Sequence, residues 1–292
     1  MTATTPTVCK LQLGKLLTAL REQAGLTQDQ AARLIRRKDR NKINLLEKAQ
    51  GSITPVELEV LLDGYGVDED ELRELLHRLR DGSSQRGRWT GYRAVYGDPF
   101  RRFIDFEEDA ELIRVAEVEI IPGLLQTEAY AHALYTNQHS RSDFPLEHRV
   151  QARLARQKVL FKPDAPELRF VLSESCLRRK WGSGTVMHEQ LTHLIGCSER
   201  ENVIIQVLPF ELPDPSQQQT WINYRVTLLR IPAPGLAGPL EVAYSETGTD
   251  YQFDDDKASL AAHDKVWTRL SDAALDTRES RAFLRSVADS YR

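Results

Sequence analysis

The chain has 292 residues, 41% hydrophobic and 28% charged, with 39 Lys and Arg against 43 Asp and Glu for a formal net charge of −4. At roughly 100–200 residues per domain this length corresponds to about two domains, and the composition excludes disordered, collagen-like and disulfide-scaffold classes. Cys9, Cys176 and Cys197 are scattered without a C-x-x-C spacing, no apolar run reaches the roughly 18–20 residues that span a bilayer, and the Thr-rich start lacks the apolar stretch of a secretory signal, so the expectation is a cytoplasmic protein with no membrane association, no metal and no cofactor.

Charge is spread unevenly along the chain. Residues 1–51 carry ten Lys and Arg against four Asp and Glu, whereas residues 52–80 carry three against eight. A near-neutral total therefore contains a basic N-terminal block, and phosphate binding needs only local positive charge.

Five short helices are predicted within residues 1–80. Leu13, Leu16, Leu17 and Leu20 share one face of the first, which Gly25 stops. Thr27-Gln28-Asp29-Gln30 is a capping box that starts the second, through Ala31, Ala32 and Leu34. Asp39 is the N-cap expected for the third, with Ile43 and Leu46 inward and Gly51 as its stop. Thr54-Pro55-Val56-Glu57 combines a capping box with Pro at the first helical position and starts the fourth, continued by Leu58, Leu61, Leu62 and Tyr65. Asp68 and Glu71 open the fifth, over Leu72, Leu75, Leu76 and Leu79.

Arg36, Arg37, Lys38 and Arg40 lie between the second and third helices, and Asn41, Lys42 and Asn44 occupy the first turn of the third. Long cationic side chains there can straddle a phosphate backbone, and Asn, Lys and Arg can reach base edges in a major groove. Gln28, at the positive end of the second helix dipole, joins them as a phosphate candidate. This is the helix-turn-helix layout with the third helix as reader. Lys42 and Asn44 are the base-contact candidates; Gln28, Arg36, Arg37, Lys38, Arg40 and Asn41 complete the DNA-binding set. The competing reading is a helical bundle whose basic turn is merely solvated.

The stretch 13–79, with A-G-L-T-Q-D-Q-A-A at 24–32, K-I-N-L-L-E at 42–47 and L-L-D-G-Y-G-V at 61–67, resembles the Xre (lambda-repressor-like) helix-turn-helix domain of actinobacterial regulators. The segment 34–43 is longer than the usual spacing of that family, which leaves the base-contacting set open.

Residues 81–91 are rich in Gly and Ser and are expected to form a linker. Beyond it, residues 92–292 mix helix and strand. Residues 103–118 are predicted helical until Pro122-Gly123, Thr127 caps a helix holding Tyr130, Ala131 and Leu134, and 146–161 is predicted helical with Val150 and Leu154 inward. Strands are predicted at 168–172, 203–208, 221–231 and 240–244 from their Val, Ile and aromatic content, with a helix at 185–195 between the first two. Two closing helices carry Leu260, Trp267, Leu270 and Ala274, then Phe283, Leu284, Val287 and Tyr291, the last capped by Asp276 and Glu279. The expected fold is thus a mostly α N-terminal helix-turn-helix domain of five helices (1–80), a linker (81–91), and a larger α+β domain with a small mixed sheet (92–292).

This second domain resembles the uncharacterised C-terminal domain that follows the Xre-type module in actinobacterial regulators of the WhiJ type. The resemblance rests on F-E-E-D-A at 106–110, I-P-G-L-L-Q-T at 121–127, Tyr130-Ala131, Arg149, Arg153, Arg156-Gln157 and I-I-Q-V-L-P at 204–209. It implies a sequence-specific DNA-binding transcriptional regulator whose second domain senses a small-molecule effector or binds a small acidic protein encoded nearby. Its alternative implication is an antitoxin-like protein that neutralises such a partner and regulates its own gene.

No catalytic constellation stands out, and the expectation is that the protein is not an enzyme. In M-H-E-Q-L-T-H at 187–193 the histidines are five apart, about 140° around a helix, so they do not form the one-faced pair of a zincin. Gly182-Ser183-Gly184 is a turn without a phosphate-loop continuation, and Asp254-Asp255-Asp256 lacks the alternating ligands of a calcium loop. Two readings stand for the Arg149, Arg153 and Arg156 stripe. It salt-bridges the Glu107, Glu108 and Glu111 run, or with Gln126 and Tyr130 it lines a partner- or ligand-binding surface, where guanidinium forks suit carboxylates and phosphates. A single short reading helix contacts few base pairs, so a homodimer on half-sites about 34 Å apart is expected.

Overall fold

A computed structural model of the chain describes residues 5–83, 91–137, 143–212, 214, 216, 220–222, 224–233, 238–247 and 250–292. Most of the expected linker, 84–90, lies outside them. The chain divides into two compact units, Met1–Arg88 with Ile231–Leu240, and Trp89–Arg230 with Glu241–Arg292.

The first unit contains α1 (Pro6–Gln23), α2 (Gln28–Leu34), α3 (Asn41–Glu47), α4 (Pro55–Gly64) and α5 (Asp70–Gly82). Local chemistry sets most boundaries. Thr5 accepts the Val8 N–H ahead of Pro6, so α1 begins earlier than its leucine periodicity indicated. It ends at Gly25, whose φ of 67° is the left-handed conformation that glycine takes without steric cost. Both Thr capping boxes form, Thr27 with Gln30 and Thr54 with Glu57.

Three expected boundaries differ. Asp39 accepts the Asn41 N–H, but Arg40 is the residue that caps α3. That helix stops at Ala49, which takes a left-handed φ of 57°, rather than at Gly51. Gly51 answers a different requirement, since a Cβ there would stand 3.0 Å from the Leu46 nitrogen. Glu69, not Asp68, precedes α5.

Leu13, Leu16, Leu17, Ile43, Leu58, Leu61, Leu62 and Leu76 bury one apolar face from each of four helices into a common core. Where α1 meets α3, Gly14 lies so close that a Cβ would come within 2.7 Å of the Glu47 carbonyl oxygen and 2.9 Å of that of Leu46.

The second unit is built on a six-stranded mixed sheet in the order β3-β2-β1-β4-β5-β6, the α+β arrangement expected of it. The strands are β1 (Leu112–Glu117), β2 (Glu167–Ser173), β3 (Val203–Leu208), β4 (Val226–Ile231), β5 (Leu240–Thr247) and β6 (Asp250–Asp254). β1, β2 and β3 run parallel, with Val115 opposite Phe170 and Phe170 opposite Ile205. β1 and β4 run antiparallel, as do β5 and β6. Crossovers carrying α7 (Glu128–Asn137) with α8 (Leu146–Arg156), then α9 (Glu174–Arg178) with α10 (Gly184–Cys197), join the parallel strands, as parallel pairing requires.

The expected helix over 103–118 is two elements, α6 (Asp98–Asp109) and the strand β1. β1 sits between two other strands, and Ile113, Val115 and Ala116 are all buried, so it lacks the alternation by which a half-exposed strand is recognised. Likewise 146–161 is α8 followed by a 3₁₀ turn, Gln157–Phe161, and Leu154 is only half-buried. β4 begins later than expected, β5 runs longer, and β6 was not foreseen.

α6 covers one face of the sheet, where Phe103 stacks on Tyr244 at 4.3 Å and Phe106 meets the edge of Phe253. α11 (Lys257–Ala273) packs Trp267 and Leu270 with Ala116, Val226 and Ala243. Because Ala243 and Tyr244 are adjacent on one strand, these two helices lie on opposite faces. α12 (Thr277–Asp289) opens with a capping box from Asp276 and Glu279.

Gly14→Ala is expected to lower the unfolding free energy by about 2 kcal/mol, as overpacking against backbone typically does. Urea denaturation followed by circular dichroism measures it.

Candidate nucleic-acid interface and cleft

The turn between α2 and α3 is built by backbone closure. Arg37 donates its N–H to the Ala32 carbonyl at 2.8 Å, and Arg36 takes a left-handed φ of 56°. Arg36, Lys38 and Arg40 are exposed, and among the described residues none has a carboxylate partner. Asn41 is exposed, while Lys42 and Asn44 are partly covered on the first turn of α3.

Two of the predicted cations are tethered. Glu57 accepts Arg37 at 2.9 Å, lies 3.4 Å from the Lys42 ammonium, and also closes the α4 capping box. Partial burial opposes ionisation of this carboxyl, but the Arg37 bond, the Thr54 N–H and Lys42 together hold it at about 2. Gln28 is turned inward. Its amide donates to Glu47 at 2.7 Å, and Glu47 is held by Arg21 at 2.6 and 3.1 Å, a nearly buried network joining α1, α2 and α3. The structure therefore gathers Arg36, Arg37, Lys38, Arg40, Asn41 and Lys42 on one turn and its following helix, and directs the Gln28 side chain into the packing beneath.

The second unit contains a cleft of about 920 Å³ near the carboxyl end of β1, where parallel pairing on one side meets antiparallel pairing on the other. α8 turns its arginine stripe inward along one wall. Arg156 is buried and paired with both oxygens of Glu107 on α6. The rest of the expected salt-bridge set is not formed, because Glu108 pairs with Arg93 and Glu111 with Arg230.

Arg153 instead donates to neutral acceptors, the Tyr135 hydroxyl at 3.0 Å and the Gln126 amide oxygen at 3.2 Å. Its guanidinium crosses Gly123 so closely that a Cβ there would lie 2.6 Å from it. Arg149 lies over the Tyr135 ring, 4.2 Å from its centroid. On another part of the lining Arg225 sits 3.3 Å from Glu117 and 3.5 Å from Glu246, within ion-pair distance although its Nε is not aligned as a hydrogen bond. Burial pushes the Glu117 carboxyl up against the opposing pull of Arg225.

The I-P-G-L-L-Q-T segment forms the cleft floor through side-chain amides. Gln126 donates to the Ile121 carbonyl at 2.7 Å, Gln157 to those of Gly123 and Gln126, and Gln190 to that of Leu125 while accepting the Thr127 N–H. Tyr130 is fully buried behind it, its hydroxyl accepting the Ile121 N–H, so it supports the segment rather than facing the cleft. Tyr96, Tyr135, Glu117 and Arg225 were not foreseen. They come from four separate stretches of the chain, Tyr135 on α7, Glu117 at the end of β1, Tyr96 ahead of α6 and Arg225 just ahead of β4, and only the tertiary fold brings them together.

The histidines of M-H-E-Q-L-T-H have separate partners, His188 with the Ala288 carbonyl and His193 with the Cys197 sulfur. Burial raises the Cys176 thiol well above its ordinary value, so it is held as a thiol rather than a nucleophilic thiolate. No helix among the described residues is long and apolar enough to cross a membrane.

A family profile described as a helix-turn-helix domain matches residues 12–75. A second, described as a domain of unknown function (DUF5753), matches residues 100–286, well over half of the chain. The chain belongs to the DUF5753 family. No curated protein and no solved structure matches it. This DUF5753 protein thus joins the helix-turn-helix domain of a DNA-binding regulator to an uncharacterised C-terminal domain, and most of the cleft lining, from Phe100 to Tyr251, falls within the DUF5753 match while Ala94 to Gly97 precede it.

Two outcomes follow for the DUF5753 protein. Glu107→Gln, which leaves Arg156 buried without a counter-charge, is expected to cost about 3 kcal/mol in urea unfolding, and the double replacement Glu107→Leu with Arg156→Met to recover much of it. Glu57→Gln retains a capping side chain and loses the ion pairs. Because the folded carboxyl is depressed below its unfolded value of 4.5, wild type should exceed this variant by about 1 kcal/mol at neutral pH, with the advantage fading as pH falls from about 4.5 toward 2. Paired urea titrations across that range measure the difference.

Proposed function

We propose that this chain is a non-enzymatic, sequence-specific transcriptional regulator of the Xre class and WhiJ type. In this reading α3 enters the major groove, Arg36, Arg37, Lys38 and Arg40 meet the flanking phosphates, and Lys42, Asn41 and Asn44 reach base edges. The observation that carries it is the exposed cationic turn set directly ahead of a short helix in a helix-turn-helix frame. The protein acts as a homodimer on paired half-sites, since one seven-residue reader covers few base pairs. Gln28 contributes by fixing Glu47 beneath the reader rather than by its own side-chain contact to DNA.

The second unit is the signal-receiving part, and its cleft supports a small effector over an antitoxin-type partner. A concave site of this size, lined by aromatic rings and a few convergent charges, has the form of small-molecule sites.

The test is DNA affinity across a salt series, on a selected operator and on random duplex. With four to six phosphates neutralised per protomer, log K should fall against log salt with a slope of about −4 to −5 per protomer. Arg36→Ala should weaken both duplexes equally and reduce the slope by about one. Lys42→Ala should cost about 1–3 kcal/mol on the operator alone. Equal losses on both duplexes for Lys42→Ala would discard its base-reading role, and no binding to any duplex at low salt would discard the regulator.

A further inference from the structure

We infer that the cleft of the second unit is a binding site for a small organic anion, one carrying a carboxylate or phosphate head on a flat apolar or aromatic body. Of the three arginines that α8 aims inward, only Arg156 has a carboxylate against it. Arg149 and Arg153 have none among the described residues; one is stacked on a ring and the other is hydrogen-bonded only to uncharged oxygens. Two guanidinium groups one helical turn apart, partly withdrawn from water and with no carboxylate in ion-pair contact, the cleft's own Glu117 and Glu246 being engaged by Arg225, are a preformed receptor for an oxyanion.

The surrounding wall fits the rest of such a ligand. Tyr96 and Phe100 border the cleft with rings 5.2 Å apart, and Tyr135 lies beneath Arg149. The Tyr96 hydroxyl is buried and has no hydrogen-bond partner among the described residues. In proteins such a group is ordinarily satisfied, and a ligand oxygen in the cleft would satisfy it. Gly123 adds an independent sign of construction. Any larger residue would displace the Arg153 guanidinium from its place across the cleft floor. A volume of about 920 Å³ lies within the range of small-ligand sites.

This inference rests on the reading of the second unit as the signal-receiving part, but binding to the cleft is measured apart from DNA affinity, so either can fail alone. The probes are 2-naphthoate, 2-naphthyl phosphate and the uncharged 2-naphthalenemethanol, titrated calorimetrically into the full-length protein, together with a glutamate-rich peptide. At least one naphthyl anion should bind ten-fold or more tightly than the alcohol, and which anion is preferred identifies the head group. Arg149→Gln and Arg153→Gln, each verified by circular dichroism, should weaken that anion at least ten-fold. Gly123→Ala, with both charges retained, should weaken it severalfold, and Arg169→Gln on the exposed side of β2 should leave it unchanged. Equal affinity for anion and alcohol, wild-type affinity in Arg149→Gln, or binding of the peptide but of neither naphthyl anion would overturn the proposal.

Discussion

A carboxylate withdrawn from water has to meet a fixed donor, and each unit of this protein is organised around one such meeting. Isolated buried charge is prohibitive, so a buried acid persists only where its partner is held in register and its remaining lone pairs are satisfied. In the first unit Glu47, at the end of α3, is met by Arg21 from α1 and by Gln28 from α2. In the second, Glu107 of α6 is met through both oxygens by Arg156 of α8. These pairs set register more than they add stability. The Arg21 fork fixes α3 relative to α1 while Gln28 ties it to α2, and the Arg156 fork fixes which way the α8 arginine stripe faces.

That orientation decides the chemistry of the cleft. With Arg156 locked, the other two arginines at helical spacing must point to the same side. The acids that could have neutralised them are used elsewhere, Glu108 by Arg93, Glu111 by Arg230, and Glu117 and Glu246 by Arg225. Positive charge is therefore left in a concave, ring-lined place by the pairing of its neighbours, and the side-chain amides of Gln126, Gln157 and Gln190 hold the floor opposite it.

Signals written in neighbouring residues are legible in the sequence. Thr27 with Gln30, Thr54 with Glu57 and Asp276 with Glu279 each marked a helix start, because a capping box is a contact over three residues. The five-helix order, the basic turn and the strands β2 and β3 with a helix between them followed from spacing in the same way. What stayed hidden depended on distant neighbours. β1 looked helical because burial on both sides removes alternation. Ala49 stopped α3 in a left-handed conformation that no residue type there announced. The stripe of Arg149, Arg153 and Arg156 was visible, but nothing local said that Glu107 would answer one of them and that Glu108 and Glu111 would turn away.

Glu57 shows what it means for one side chain to serve two elements. It closes the first turn of α4 and at the same time grips Arg37 in the turn between α2 and α3 and Lys42 on α3. The grip exists only once α4 has wound its first turn, because that winding places the carboxyl where both cations can reach it. Order in the basic turn is thus inherited from a neighbouring helix, and a fraying of α4 at its start would loosen that turn and α3 without removing a single one of their positive charges.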